Sequence, residues 1–162
     1  MSTDQEFHHT SGSTAPAPTI TNAGTKPKTP HKLFVNVPVR DVQRSIDFFQ
    51  ELGFDFNAQF TDATAAAMLV GEDAYFMLLN RDRFQSFTKR QIGDPKKDTT
   101  AFFALSVDSR AEVDQMVNAA IAAGGKHAMD PQDHGFMYGW SFYDLDEHHW
   151  EIFWMDAGVV QG

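Results

Sequence analysis

Near its end the chain reads Asp144-Leu145-Asp146-Glu147-His148-His149-Trp150-Glu151-Ile152-Phe153-Trp154-Met155. The acidic residues at the start of this segment are typical of a tight turn, and the aromatic and β-branched residues after them are typical of a strand. Alternate side chains of a strand point to opposite faces. One face then carries His149, Glu151 and Phe153, and the other carries Trp150, Ile152 and Trp154. The second face is wholly apolar, and we expect it to lie against a helix or the core.

The carboxylate of Glu151 is the polar group of this strand that needs an explanation. A carboxylate among large aromatic side chains needs a hydrogen-bond donor, a metal, a substrate proton or water. Two interpretations remain open from the spacing. Glu151 is either a solvated or hydrogen-bonded strand residue, or a functional carboxylate next to the imidazole of His149.

Composition limits the possible classes of protein. The chain has 162 residues, of which 42% are hydrophobic and 15 are Phe, so it is long and apolar enough for one folded domain. It has no Cys, which excludes a disulfide framework, a thiolate nucleophile and a Cys-ligated zinc, and this fits a cytoplasmic protein. The net charge of −9 argues against a nucleic-acid partner.

No apolar run is long enough to cross a bilayer, so we expect no membrane association. The first residues do not have the charged-then-apolar pattern of a secretory signal peptide. Residues 1–30 are rich in Ser, Thr, Ala, Pro and Gly without apolar periodicity, and we expect a disordered tail there. The folded domain is expected to cover residues 31–157.

The first half of this domain, about residues 32–80, is predicted as a strand, a helix and three further strands. Residues 32–39 alternate as a strand, and Pro38 places that strand at an edge, an end or a bulge. Asp41 caps a helix with apolar residues at helical spacing, which ends at Gly53. Three strands are then expected at about 54–60, 65–70 and 74–79.

The second half, about residues 100–156, repeats this order of elements. A strand at 100–107 precedes a helix that begins with a capping box at Ser109 and ends at Gly124. Strands are then expected at about 126–129, 136–143 and 148–155. Residues 81–98 connect the halves as a long polar loop. An internal repeat of this size governs the fold.

The residues of the first half carry a resemblance to a known family. They include Val37-Pro38-Val39-Arg40-Asp41-Val42, then Arg44-Ser45, Phe48-Phe49 and Leu52-Gly53-Phe54. This run resembles the opening of a vicinal oxygen chelate domain, the superfamily of glyoxalase I, bleomycin-resistance proteins, fosfomycin-resistance enzymes and extradiol dioxygenases. The closing turn with Trp150 and Glu151 is similar to that superfamily's last strand. Residues 133–139 and the ending Phe153-Trp154-Met155 resemble a bacterial glyoxalase-like branch of unsettled activity.

The resemblance implies an α+β fold. Two βαβββ modules would form an eight-stranded curled sheet around a cavity, with the helices outside. The side chains expected to point into the cavity are Phe34, Asn36, Pro38, Phe102, Ala104, Ser106, His149, Glu151 and Phe153. From the resemblance we also expect a homodimer.

The ligand positions of the metal-using relatives are largely lost. In those relatives, side chains early in the first and fifth strands and in the fourth and eighth strands hold a divalent ion. The early positions fall on Phe34 and Phe102, and the fourth-strand position, at 75–77, has no carboxylate. Glu151 alone remains. Because Zn, Fe or Ni sites need about three protein ligands, we expect no cofactor.

The alternative is one divalent metal ion with Glu151 as a ligand. It requires a different alignment that brings in Asn36, His149 or His134. His134 lies on a loop and is also a candidate general acid or base, as Glu151 is. Tyr138 and Trp140 alternate with Met137 and Gly139 on the next strand, and one of these two pairs should line the cavity.

Three functions follow from these residues and the resemblance. The first is a metal-free protein that binds a small organic ligand in an aromatic cavity, with Glu151 as the polar anchor. The residues expected to contact that ligand are Phe34, Asn36, Phe102, Tyr138, Trp140, His149 and Phe153. The second is a metal-dependent glyoxalase-like lyase or isomerase, or an extradiol-type dioxygenase. The third is a structural or regulatory module without catalysis.

Overall fold

The computed structural model describes residues 14–159. The chain divides into two units at Pro30. Residues 14–30, the described part of the first unit, contain no helix or strand, and residues 1–13 of the predicted tail lie outside the described residues. No helix in the described part of the chain is both long and apolar enough to span a bilayer.

The first module of the second unit contains four strands and one long helix. They are β1 (Leu33–Val39), α1 (Val42–Glu51), β2 (Phe56–Asn57), β3 (Ala65–Gly71) and β4 (Ala74–Asn80). The four strands form one sheet in the order β1-β4-β3-β2, with β1 parallel to β4 and the other pairs antiparallel. Pro38 therefore lies on an edge strand, where its missing N–H breaks no ladder.

The second module repeats this arrangement. After the short helix α2 (Arg81–Gln85) come β5 (Phe103–Ser106), α3 (Arg110–Ala122), β6 (Lys126–His127), β7 (Gln132–Asp133), β8 (Met137–Tyr143) and β9 (His149–Met155). Their sheet has the order β5-β9-β8-β6, and β7 also pairs with β8. The strand β5 is parallel to β9, as β1 is to β4.

The predicted α+β fold of two βαβββ-like modules is confirmed, with differences in detail. The described residues form two sheets, of four and five strands, in place of one curled eight-stranded sheet. The additional strand is β7. Pro131 lies between β6 and β7 and separates them, because proline has no backbone N–H to donate to a strand ladder.

Two predicted boundaries were wrong because a side chain caps the backbone locally. Asn80 accepts a hydrogen bond from the backbone N–H of Arg83 at 2.8 Å, so a helix begins where a loop was expected. Asn57 accepts from the N–H of Gln59 at 2.9 Å and ends the second strand in a 3₁₀ turn. The predicted caps Asp41 of α1 and Ser109 of α3 are confirmed.

The core lies between the helices and the helix-facing sides of the sheets. Its centre is the fully buried Trp150 of β9, and Ile152 of the same strand is also fully buried, as predicted. The rings packed around Trp150 are Phe49, Phe76, Phe103 and Phe142, at centroid distances of 5.2, 4.6, 5.1 and 6.5 Å. Because these rings come from both modules, the aromatic cluster holds the modules together.

The turn between β8 and β9 is organised by a buried carboxylate. Asp144 is 5% exposed. It accepts hydrogen bonds from the indole nitrogen of Trp150 at 2.9 Å and from the backbone N–H groups of Asp146 and His148 at 2.8 and 3.0 Å. Burial raises the pKa of Asp144, while the nearby His148 and these donors act in the opposite direction.

The same turn reaches the first module. The carboxylate of Asp146 accepts from the backbone N–H of Arg40 at 2.9 Å and pairs with its guanidinium at 3.2 Å. The Nε2 of His148 donates to the carbonyl oxygen of Pro38 at 2.8 Å. The start of β9 is therefore fixed both to β8 and to the end of β1.

We expect Asp144→Ala to lower the free energy of unfolding by about 2–3 kcal/mol. The change leaves the indole N–H of the buried Trp150 and two backbone N–H groups without their acceptor. Urea unfolding measures the loss. Asp156→Ala is the control, because Asp156 is exposed and accepts only from Gly158 at its own turn, and it should change stability by less than about 0.5 kcal/mol. Equal losses in the two variants would contradict this role of Asp144.

Candidate functional site

The face of β9 that turns away from the helices is only partly covered. His149, Glu151 and Phe153 are half-buried on this face, in contrast to the buried Trp150 and Ile152 on the other. The alternation predicted from the sequence therefore holds. It places the carboxylate of Glu151 on an accessible side of the second sheet.

Small residues surround Glu151 on the neighbouring strands. Ser141 of β8 and Ala104 of β5 are its cross-strand partners. A Cβ atom added to Gly139 would lie 3.3 Å from the carboxylate oxygen Oε1 of Glu151, so the carboxylate lies close to the backbone of β8 at this glycine. A larger side chain at position 139 would displace the carboxylate.

A hollow of about 280 Å³ lies around this carboxylate. Its walls come from β7, β8, β9, the residue before β5 and the segment between β6 and β7. The lining residues are Phe102, Met129, Asp130, Gln132, Met137, Gly139, Trp140, Ser141, His149 and Glu151. The volume is slightly below the range of about 300–1,000 Å³ that is typical of small-molecule sites.

The charge of the lining is negative. It contains two carboxylates and neither Lys nor Arg. Within the described residues, Glu151 forms no salt bridge with any basic side chain. Asp130 is 93% exposed at its side chain and lies 3.4 Å from Nε2 of His127, so it interacts mainly with solvent.

His149 is held between two aromatic rings. Its ring centroid is 5.4 Å from that of Phe102 and 5.4 Å from that of Tyr143. It also borders a second hollow of about 360 Å³, between β1 and the connection that follows α2. Asn36 and Phe84 line this second hollow, so Asn36 lies apart from Glu151, whereas His149 borders both hollows.

Other predicted site residues lie apart from the hollow around Glu151. Phe34 stacks on Tyr75 in the first sheet, at a centroid distance of 4.8 Å, and lines neither hollow. His134 is exposed on the loop between β7 and β8, next to Phe136, and also lines neither. Phe153 shares the face of Glu151 but is not among the lining residues.

Of the two alternating pairs on β8, Met137 and Gly139 share the face of Glu151. Tyr138 lies on the helix side, where its hydroxyl donates to Asp114 of α3 at 2.6 Å, and this bond together with burial raises its pKa to about 12. Tyr138 therefore does not line the hollow around Glu151. Trp140 packs partly against the core and also borders the hollow. Its indole nitrogen is the one buried side-chain polar atom without a partner in the described part of the chain.

Some residues that line the hollow were not predicted from the sequence. Met129 and Asp130 come from the segment between β6 and β7, Gln132 comes from β7, and Ser141 comes from β8. The alternation along β8 predicted that Met137 and Gly139 share a face. The pairing of Gln132 with Gly139 involves a strand of only two residues, which no sequence pattern indicated.

Arg110 of α3 holds the loop between β7 and β8. Its guanidinium donates to the carboxylate of Asp133 and to the carbonyl oxygen of Gly135, both at 2.7 Å, and lies 4.9 Å from the ring centroid of Trp154. The hydrogen bond from Arg110 holds the pKa of Asp133 below its usual value. This arrangement fixes the hairpin that carries Gln132 and Met137 to the hollow.

The residues of the site do not fit a metal ion held by one chain. Among residues 14–159 there is no group of three or more His, Cys, Asp or Glu side chains that could hold one. Phe102 lies against His149, at a place where the resemblance requires a donor. A single carboxylate does not bind a transition metal tightly.

A family model described as "Glyoxalase/Bleomycin resistance protein/Dioxygenase superfamily" matches residues 32–152. No curated protein matches the chain.

Solved structures show the same fold. A hypothetical protein from S. aureus is 26% identical, with a TM-score of 0.65, and the match covers 80% of this chain and 94% of that one. A glyoxalase/bleomycin resistance protein/dioxygenase family enzyme from Burkholderia phytofirmans is 18% identical, with a TM-score of 0.63 and coverage of 75% and 96%. A fosfomycin resistance protein from Listeria monocytogenes is 18% identical, with a TM-score of 0.55 and coverage of 83% and 98%. Below 25% identity, such likeness establishes the fold alone.

The pairing of Asp133 with Arg110 predicts a pH dependence of the β7–β8 loop. Because the pKa of Asp133 is lowered in the folded state, its stabilising effect is present above the unfolded value of about 4 and is lost as the pH falls through the folded value. Amide exchange of Gly135, whose N–H donates to Asp133, measures the loop. Asp133→Asn should speed this exchange at about pH 6, and the difference from wild type should shrink as the pH falls below the unfolded value of about 4. A difference that is independent of pH would contradict the ion pair.

Proposed function

The chain belongs to the glyoxalase/bleomycin resistance protein/dioxygenase superfamily, and from this we propose that it binds a small organic molecule in the hollow around Glu151. The observation that carries the proposal is a half-buried carboxylate without an ion-pair partner among the described residues, at the floor of a hollow with apolar walls. Sites for small molecules combine apolar walls with a few polar groups that orient the ligand.

The walls supply the apolar contact that such a ligand needs. Phe102, Met129, Met137 and Trp140 lie around the carboxylate, and methionine side chains adapt to ligands of irregular shape. The lining is less aromatic than the sequence suggested, because Phe34, Tyr138 and Phe153 lie elsewhere. Glu151 and His149 remain as the polar contacts of the proposed ligand.

The second candidate is a metal-dependent lyase, isomerase or dioxygenase of this superfamily. The observation in its favour is that Glu151 keeps a family ligand position with His149 two residues away. The donor set within one chain does not fit a transition metal, so we derive no step through an ion. A purely structural module, the third candidate, would leave the hollow without a role.

We also propose that the protein is a homodimer. Several large apolar side chains outside the hollow are exposed on both modules, among them Leu33, Phe34 and Phe136. Covering them would remove apolar area from water. The dimer does not enter the proposal on the hollow, and light scattering of the full chain in solution tests it separately.

Phe102→Ala should weaken binding of small aromatic compounds to the hollow by about tenfold. The change removes one aromatic wall, worth about 1–1.5 kcal/mol, and Phe102 is 54% exposed, so the fold should be preserved. A panel of neutral aromatic fragments, measured by ligand-observed NMR and thermal shift, finds the binders and ranks the variants.

Phe60→Ala is the matched control for this experiment. Phe60 is 62% exposed and does not line the hollow, so its loss should leave the affinities unchanged. If no fragment binds the wild-type protein, or if the two variants weaken binding equally, the proposed site is wrong.

The protein should hold no stoichiometric zinc, iron or nickel after exposure to each ion and dialysis. One carboxylate and one imidazole give too few donors for tight binding. Elemental analysis of protein from which any affinity tag has been removed measures the ratio of metal to chain. One tightly held ion per chain would contradict this expectation and favour the metal-dependent enzyme.

A further inference from the structure

We propose that the ligand of this hollow is an organic cation, a compact apolar body with one protonated amine or guanidinium that contacts the carboxylate of Glu151. The inference rests on the proposed function, and it adds the chemical class of the ligand. It follows from the charge, size and wall chemistry of the hollow.

The hollow is negatively charged. Its lining contains Glu151 and Asp130 but neither Lys nor Arg, and within the described residues no basic side chain pairs with Glu151. Asp130 is almost fully exposed and lies near His127, so Glu151 is the charge that a ligand in the hollow meets. A half-buried carboxylate without a counter-ion is stabilised by a cation more than by a neutral group.

The other titratable group on this face is His149. Its ring lies between Phe102 and Tyr143, and a protonated imidazole two residues from Glu151 would compete with a cationic ligand. Binding is therefore compared at one fixed pH, so that the charge of the hollow is the same for all ligands.

The same arrangement disfavours anionic ligands. A carboxylate, phosphate or phosphonate in the hollow would lie next to Glu151, in a lining without a cationic side chain to offset the repulsion. The net charge of −9 over the whole chain acts in the same direction. Neutral ligands avoid the repulsion, but a hydroxyl group gives Glu151 a weaker hydrogen bond than an ammonium group does, and an apolar group gives it none.

Size and wall chemistry define the body of the cation. A hollow of about 280 Å³ corresponds to roughly nine water molecules at their share of liquid volume, so the ligand is compact. Phe102 offers an exposed aromatic face at the rim, and Met129 and Met137 offer polarisable sulfur atoms. Aromatic faces attract cations, and apolar walls favour an aromatic or aliphatic body.

Three probes of nearly equal shape test the inference at about pH 8. They are 2-phenylethylamine, 2-phenylethanol and phenylacetate, which are cationic, neutral and anionic. Calorimetry and ligand-observed NMR on the full chain give their affinities. We expect the amine to bind at least about tenfold more tightly than the alcohol, which equals about 1.4 kcal/mol, and phenylacetate to bind most weakly.

Glu151→Gln removes the charge and keeps the shape. The amine should lose its advantage of about tenfold, while the affinity of the alcohol should stay within about twofold. Asp130→Asn is the control, because it removes the exposed charge of the same lining, and the amine should keep most of its advantage. The comparison of the three probes on the wild-type protein needs no variant, so it holds even where a variant folds poorly.

The outcomes separate this inference from the proposed function. If the amine and the alcohol bind equally and Phe102→Ala weakens both, the hollow is a binding site and the cation inference is wrong. If phenylacetate binds best, the inference is also wrong. If none of the probes and no neutral fragment binds, the proposed function itself is wrong.

Discussion

The carboxylate of Asp144 is the group on which the geometry of the hollow depends. It accepts three N–H donors, from the indole of Trp150 and from two backbone groups of the turn. These bonds hold the start of β9 opposite the end of β8. A shift of this pairing by one residue would turn Trp150 outward and the carboxylate of Glu151 into the core. Burial of an unpaired carboxylate costs several kcal/mol. The burial of the Trp150 ring and the exposure of the Glu151 carboxylate therefore both favour the observed register of β9 on β8.

The sequence predicted the structural features that depend on residues close together along the chain. Alternation along β9 predicted the two faces of that strand, and the caps at Asp41 and Ser109 were visible as helix starts. The walls of the hollow depend on which distant strands meet, and short range patterns do not specify this. Tyr138 illustrates the limit. Its alternation was clear, but only its bond to Asp114 on α3 shows that its face is the helix side.

Among the described residues, the lack of a group that could hold a metal ion and the negative charge of the hollow concern the same carboxylate, that of Glu151. The walls around it, which include the phenyl ring of Phe102, contain neither Lys nor Arg. The carboxylate lies among small residues, including Gly139, whose missing side chain leaves room for Oε1. A cationic ligand would supply the positive charge that Lys and Arg do not supply in this lining.

Either a ligand or a second protein chain would cover the exposed apolar surface around the hollow, and the charge of Glu151 distinguishes these two occupants. Apolar groups such as Phe102 and Met129 gain about 25 cal/mol for each Å² removed from water, whatever covers them. A second chain that covered the hollow with apolar residues would also bury the carboxylate without a partner, at a cost that offsets much of this gain. Only an occupant with a positive charge or several donors gains from the walls and from Glu151 together. The chemistry of this face therefore favours a small cationic ligand in the hollow. The exposed apolar side chains outside the hollow remain for contact between copies of the chain.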